Sequence, residues 1–109
     1  MDSISIQQQL EENRFALLDG DAMIGEAAYV QHGDRRIFYH TVVDPAYGGR
    51  GLAGDLVASA LRETMDAGVV VVPVCPYVRS WLERHPDVAE RTQQPEPADL
   101  DALRAALGD

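Results

Sequence analysis

The residues best suited to chemistry in this 109-residue sequence lie in one glycine-rich segment, residues 44–54. Four glycines fall within seven positions there: Gly48, Gly49, Gly51 and Gly54. The segment follows a run of β-prone residues and precedes an amphipathic helical pattern. Glycines at such a junction leave consecutive backbone N–H groups unshielded, at the end of the helix where the dipole is positive. The segment therefore predicts a site for phosphate or another anion.

Two well-known phosphate-binding loops fit this segment poorly. The loop of the NTPases needs a lysine directly after its last glycine, and this sequence contains no lysine. The dinucleotide fingerprint G-x-G-x-x-G is matched by Gly49, Gly51 and Gly54, but it belongs to a parallel sheet with an acidic residue about 20 positions further on. The antiparallel strands predicted ahead of the segment argue against that sheet. A strand–loop–helix unit that grips a pyrophosphate is the third alternative.

The elements around this segment are predicted from apolar spacing and from turn residues. Strands are expected at residues 3–6, 14–18, 22–31, 35–43 and 69–72, and helices at 52–65, 77–85 and 99–107. Strict alternation in the fourth strand is expected to place Ile37, Tyr39, Thr41 and Val43 on one face, and Phe38, His40 and Val42 on the other. We therefore expect a mixed α/β fold: an antiparallel meander followed by a βαβ crossover, with helices flanking a central mixed sheet.

Composition narrows the classes of partner. The net charge is −9 and every basic residue is arginine, so binding to nucleic acid is not expected. No stretch approaches the roughly 20 apolar residues of a membrane span. One cysteine, no internal disulfide and no recognisable leader favour a cytoplasmic protein. We expect one domain over residues 1–91, and a linker with a short acidic helix over residues 92–109.

Several separated motifs together resemble a known family. The run from Asp44 to Leu56, D-P-x-x-x-G-R-G-L-A-x-x-L, resembles the acyl-CoA-binding motif R/Q-x-x-G-x-G/A of the GNAT acyltransferase superfamily. Further markers follow in the family's order: His40-Thr41 before the segment, then V-P-x-C-P-Y-V over residues 72–78, Trp81, and R-H-P over residues 84–86. The chain from residue 15 to about residue 88 is similar to a small, single-domain N-acetyltransferase subfamily. One position departs from the motif, because Gly48 stands where the family has arginine or glutamine.

The resemblance implies a function and a set of binding residues. It implies transfer of an acetyl group from acetyl-CoA to an amine acceptor, by a monomer or a dimer without a metal. The acceptor is a small molecule or a protein side chain, and the sequence does not choose between them. An alternative is a CoA-binding or regulatory module without turnover. The CoA-binding residues implied are Gly48, Gly49, Arg50, Gly51, Leu52, Ala53 and Gly54 at the pyrophosphate, and Thr41, Val42 and Val43 along the pantetheine arm, which enters a gap between two parallel strands.

Three residues are candidates for the chemical step. Cys75, between a strand and a helix, is a candidate nucleophile, proton donor or wall of the thioester pocket, or else a small buried residue. Tyr77 is a candidate proton donor to the departing thiolate, or a packing residue. His40 is a candidate general base, or a hydrogen-bonded core histidine. Glu26 is a weaker candidate base, and no histidine, cysteine or acidic residue has the spacing of a metal site.

Overall fold

A computed structural model describes residues 3–108 as a five-stranded mixed sheet with helices packed on it. The strands are β1 (Ile4–Gln9), β2 (Arg14–Asp19), β3 (Ala22–His32), β4 (Arg35–Val43) and β5 (Val70–Pro73). The helices are α1 (Leu52–Asp66), α2 (Pro76–Glu83), α3 (Pro86–Ala89) and α4 (Pro97–Leu107), with one-turn 3₁₀ helices at Leu10–Glu12 and Pro45–Tyr47. No helix within these residues is long and apolar enough to cross a membrane.

The order of the strands in the sheet follows the chain, from β1 at one edge to β5 at the other. The first four strands pair antiparallel, and β5 returns parallel to β4 after the crossover through α1. The predicted meander and βαβ unit are both confirmed. The sheet thus places the glycine-rich segment directly after β4, the neighbour of the edge strand β5, and before the first turn of α1.

The main core lies between the sheet and helices α1 and α2. Phe15, Tyr29 and Phe38 come from three adjacent strands, and their ring centroids lie 5.6 to 6.2 Å apart. Helix α1 buries the apolar face that its spacing predicts, which includes Leu56 and Leu61. Helix α2 adds Trp81, which is a core residue as expected. This packing fixes the start of α1 against the end of β4.

A β-bulge at Tyr39 alters the predicted alternation in β4. Tyr29 pairs with Phe38 and Ala28 pairs with His40, so Tyr39 has no partner in β3. Thr41 pairs with Ala27, which shares the core face with Tyr29, so Thr41 lies on the same face as Phe38. The expectation that Thr41 faces away from Phe38 was wrong, because the extra residue shifts the alternation by one position. His40 and Val42 lie exposed on the opposite face.

Strands β4 and β5 separate after a short parallel pairing. Their register runs only from Arg35 opposite Val70 to Phe38 opposite Pro73. The backbone N–H groups of Val74 and Cys75 both donate to the Phe38 carbonyl, at 2.9 and 2.8 Å. From Tyr39 onward β4 has no strand on this side within the described residues, and an opening lies between it and the start of α2.

The second face of the sheet carries the C-terminal helix. Helix α4 packs against β3 and is tied to β4 by a two-bond ion pair between Arg35 and Asp99, with nitrogen–oxygen distances of 2.9 and 2.8 Å. Asp99 is only 1% exposed, and its second role is to accept from the N–H of Glu96 and cap the helix. The helix begins two residues before the predicted start. The division into a domain at 1–91 and a tail at 92–109 stays a prediction.

Candidate functional site

The glycine-rich segment forms a 3₁₀ turn and then a tight loop into α1. The Asp44 carboxylate accepts from the N–H of Ala46 at 2.9 Å and caps the turn. Gly49 and Gly51 have φ angles of +78° and +73°, in the left-handed region that favours glycine. Gly51 is the N-cap of α1 and has no side chain, so the first N–H groups of the helix are left without a side-chain partner.

These residues line a hollow with a volume of about 260 Å³. It is formed by the loop, the end of β4 and the start of α2: Val43, Tyr47, Gly48, Gly49, Gly51, Leu52, Ala53, Gly54 and Tyr77. All residues of the predicted CoA loop, residues 48–54, except Arg50 line this hollow. The positive end of α1 points into this hollow, because Leu52, Ala53 and Gly54 are its first turn. The geometry therefore suits an anionic group.

The edge of β4 beside this hollow presents free backbone groups. The N–H of Asp44 donates to Ile24 in β3, so alternate residues 42 and 40 use their backbone groups on the β3 side. Thr41 and Val43 then direct their N–H and C=O groups toward the opening, where β5 has moved away. An extended ligand with amide groups can pair with that edge as a strand does.

Two of the three candidate catalytic residues lie beside the opening. Cys75 is 4% exposed, and its thiol donates to the Thr41 hydroxyl at 3.5 Å. Tyr77 is half-buried, and a methyl group built on Gly54 would lie 3.9 Å from its hydroxyl. Cys75 thus contacts Thr41 of β4, and Tyr77 lies against the first turn of α1.

The third candidate, His40, lies on the other side of β4. It is exposed, and it follows the bulge on the face opposite Thr41. Glu26 shares that face, because it pairs with Val42, and it forms an ion pair of 3.5 Å with Arg14. The structure does not bring His40 or Glu26 to the thiol of Cys75 on the core side of the sheet.

Sequence reasoning missed a hydrogen bond that joins the residue before the glycine loop to the end of strand β2. The Tyr47 hydroxyl donates to Asp19 Oδ2 at 2.5 Å, across 28 residues of sequence. This bond is the main cause that lowers the pKa of Asp19 below its usual value, with the N–H of Ser3 and the charge of Arg50 adding to it. The Arg50 guanidinium lies over the Tyr47 ring at 5.5 Å. In the sequence, Asp19 indicated only a turn, and nothing local links it to Tyr47.

The remaining histidine near the site has a structural role. His85 stacks on Trp81 with ring centroids 3.8 Å apart, and its Nδ1 lies 2.8 Å from the Trp81 carbonyl oxygen. His85 also begins helix α3, in agreement with its predicted place at a helix terminus. Within residues 3–108, no three histidine, cysteine or acidic side chains are grouped as metal ligands.

Comparisons with known proteins agree with this geometry. The GCN5-related N-acetyltransferase family model matches residues 14–91, which is well over half of the chain. The fold is similar to the NMR solution structure of a Staphylococcus aureus protein assigned to the GCN5-like N-acetyltransferases, with a TM-score of 0.66 and 20% sequence identity over 89% of this chain and 95% of that one. The search of curated proteins found no match. From the family match, with the fold in agreement, the chain belongs to the GCN5-related N-acetyltransferases.

Proposed function

We propose that this protein transfers an acetyl group from acetyl-CoA to an amine. One observation carries the proposal: the opening between β4 and β5 begins at Phe38 and lies beside a glycine hollow at the start of α1. A cradle of backbone N–H groups beside a free strand edge suits a ligand with a pyrophosphate at one end and amide groups along its arm. CoA has both features.

The donor is positioned by backbone groups in this proposal. The N–H groups of residues 49–54 bind the pyrophosphate, and the backbone of Thr41 and Val43 pairs with the pantetheine arm. The thioester then lies beside the Thr41–Cys75 contact. Val42 contributes to this pairing only by continuing the strand, because its side chain lies on the other face of the sheet. Arg50 lies over Tyr47, so its charge acts on the pyrophosphate from the side of the loop.

The chemistry is direct transfer within a complex of both substrates. A neutral amine nitrogen attacks the thioester carbonyl, a C–N bond forms, and the C–S bond breaks. The leaving thiolate takes a proton, for which the Tyr77 hydroxyl and the Cys75 thiol are the donors beside the opening. The amine loses a proton, and the candidate acceptors are His40 in β4 and Glu26 in β3, which share the other face of the sheet.

The amine reaches the opening from that second face. A hollow of about 370 Å³ lies there between the ends of β3 and β4. It is lined by Met23, Ile24, Gly25, Glu26, Val42, Asp44 and Pro45. Its side chains are apolar or acidic, so it suits an amine carried on a small apolar body. The hollow is open, and it accommodates a free amine or an amine on a protein side chain.

Turnover distinguishes the enzyme from a CoA-binding module. The protein is incubated with acetyl-CoA and a panel of diamines, aromatic amines and lysine peptides, and the release of free thiol is followed. We expect release that depends on one class of amine. Cys75→Ala should retain CoA affinity and lose at least about tenfold in turnover, if the thiol acts in the step.

A matched variant for Cys75 is Val74→Ala, which shortens a neighbouring half-buried side chain and leaves the thiol in place. It should retain turnover. CoA binding without thiol release for any amine would favour the regulatory module, and the absence of CoA binding would contradict both functions.

A further inference from the structure

We propose that Asp19 is a positioning residue for the CoA loop, which it holds in its binding shape through Tyr47. The part of the test that measures CoA affinity rests on the proposed function. Asp19 does not line the hollow, and it lies at the end of β2, in a different part of the chain from residues 48–54. It acts through a neighbour and does not touch the ligand.

The contacts of Asp19 join three parts of the fold. Its Oδ1 accepts from the N–H of Ser3 at 3.1 Å, just before β1. Its Oδ2 accepts from the Tyr47 hydroxyl at 2.5 Å. The N–H of Gly20 donates to the Ser3 carbonyl at 2.9 Å and closes the same corner. The carboxylate is therefore fixed by the sheet, and Tyr47 is fixed by the carboxylate.

Tyr47 passes this restraint to the loop. It is the last residue before Gly48, it lines the hollow, and it packs against the main core. Gly49 and Gly51 themselves contribute no side-chain contact to the loop, and no atom lies within 4 Å of where their Cβ atoms would be. A glycine-rich loop loses more conformational entropy on binding than other loops, so an anchor at its first residue preserves affinity.

Charge strengthens this anchor. The Tyr47 bond, the Ser3 N–H and the nearby Arg50 lower the pKa of Asp19, so the carboxylate is ionised throughout the neutral range. A hydrogen bond to an ionised acceptor is stronger than one between neutral groups. Arg50 lies over the Tyr47 ring at 5.5 Å, and its positive charge adds to the lowering of the Asp19 pKa.

A purely electrostatic role for Asp19 and a positioning role predict opposite effects of its neutralisation on CoA affinity. If the carboxylate acted only by repelling the CoA phosphates, its neutralisation would tighten binding, and loss of the Tyr47 hydroxyl would change little. The positioning role predicts that both changes weaken binding by the same route. Asp19→Asn, Tyr47→Phe and the double variant therefore separate the two roles.

Calorimetry with CoA and amide hydrogen exchange without any ligand make up the test. We expect Tyr47→Phe, which removes the bond, to weaken CoA binding about fivefold to tenfold. Asp19→Asn should weaken it less, because the amide oxygen still accepts from Tyr47 but carries no charge. The double variant should bind no more weakly than Tyr47→Phe, since both changes act on the same bond. The amides of residues 48–54 should exchange faster in each variant. Asp21→Asn removes the same charge from an exposed side chain in the adjacent turn, and it should bind within about twofold of the wild type.

Three outcomes would overturn the positioning role. They are wild-type affinity in both single variants, tighter binding by Asp19→Asn, and losses that multiply in the double variant. If the unmodified protein binds no CoA, the proposed function fails by itself. The exchange rates then still decide the inference, because unchanged exchange at residues 48–54 would contradict it.

Discussion

At the residue scale, Gly48 is where the chain departs from its family's motif. The family's motif has arginine or glutamine there, and glycine leaves that position of the loop without a side chain. The φ of −65° at Gly48 is ordinary for any residue. A Cβ at this position would lie 3.1 Å from the Pro45 carbonyl oxygen, so a side chain fits after a shift of a few tenths of an ångström.

We therefore predict that Gly48→Gln strengthens CoA binding about fivefold, the value of about one additional hydrogen bond. Calorimetric titration with CoA gives the affinity. Gly48→Ala is the control, because it introduces the same Cβ and the same contact with Pro45 without the amide group. If Gln and Ala bind CoA equally, the side chain at this position does not reach the pyrophosphate.

The residues proposed for the catalytic step divide by the face of β4 on which they lie. Cys75 and Tyr77 are on the core side, with the glycine hollow, and His40 is on the side of the second hollow. The sequence placed all three near the strand end. It did not reveal this division, because the bulge at Tyr39 depends on pairing with β3 and not on residue type.

At the element scale, the ion pair between Arg35 and Asp99 attaches α4 to the sheet. Asp99 is buried and Arg35 is 14% exposed, so this pair is less screened than a surface pair. We predict that Asp99→Asn lowers the free energy of unfolding by about 2 kcal/mol, through the loss of a charged acceptor for Arg35. Urea unfolding followed by far-UV circular dichroism measures it.

The same helix supplies a control. Asp101 pairs with Arg104 three residues on, but both side chains are more than half exposed. Asp101→Asn should cost less than about 0.5 kcal/mol. If the two variants cost the same, burial of the Arg35 pair contributes nothing and α4 is held by apolar contacts alone.

The pair also fixes how stability varies with pH. The Arg35 bond lowers the pKa of Asp99 from its usual 3.8, so the folded protein holds the ionised form more firmly than the unfolded chain. This contribution is fully present above the usual value and is lost as the pH falls below it through the lowered pKa. The difference between wild type and Asp99→Asn should therefore shrink as the pH falls below 3.8.

Most elements could be predicted because local signals specify them. The Asp19-Gly20-Asp21 turn, the spacing of apolar residues from Leu52 onward and the β-branched run before Pro73 each indicate one element, and each is present. The bulge, the Arg35–Asp99 pair and the Asp19–Tyr47 bond were not predicted. Each joins residues from separate elements, and no local pattern specifies which side chains meet.

At the scale of the whole molecule, the main functional feature is the opening in the sheet. Strands β4 and β5 pair over only four residues, and the first turn of α1 lies beside the point where they part. The glycine hollow lies at the end of β4 and the start of α1, and the acidic and apolar hollow lies between the start of β3 and the end of β4. In the proposed function, the donor and the acceptor approach β4 from these two hollows. The net charge of −9 favours a cationic acceptor over an acidic one.

The anion site was predicted from the glycine segment itself, whereas the pairing of a ligand with the β4 edge was implied only by the family resemblance. Val74 and Cys75, between β5 and α2, both donate their N–H groups to the Phe38 carbonyl, and the pairing of β5 with β4 ends there. In the sequence, these two residues indicated only the end of a strand. The family resemblance supplied the idea of a gap, and the register now locates it after Phe38.

The central claim is that the loop at Gly51 binds the pyrophosphate of CoA. Titration of acetyl-CoA into wild type, Gly51→Val and Gly33→Val by calorimetry tests it most directly. Gly33 is the matched control: its φ is +61° against +73° at Gly51, no atom lies near its Cβ position, and it lies at the opposite end of β4. Both variants carry the same backbone strain. We predict one-to-one binding by wild type and Gly33→Val, and a loss of at least about a hundredfold in Gly51→Val. Equal affinity in all three proteins would contradict the claim.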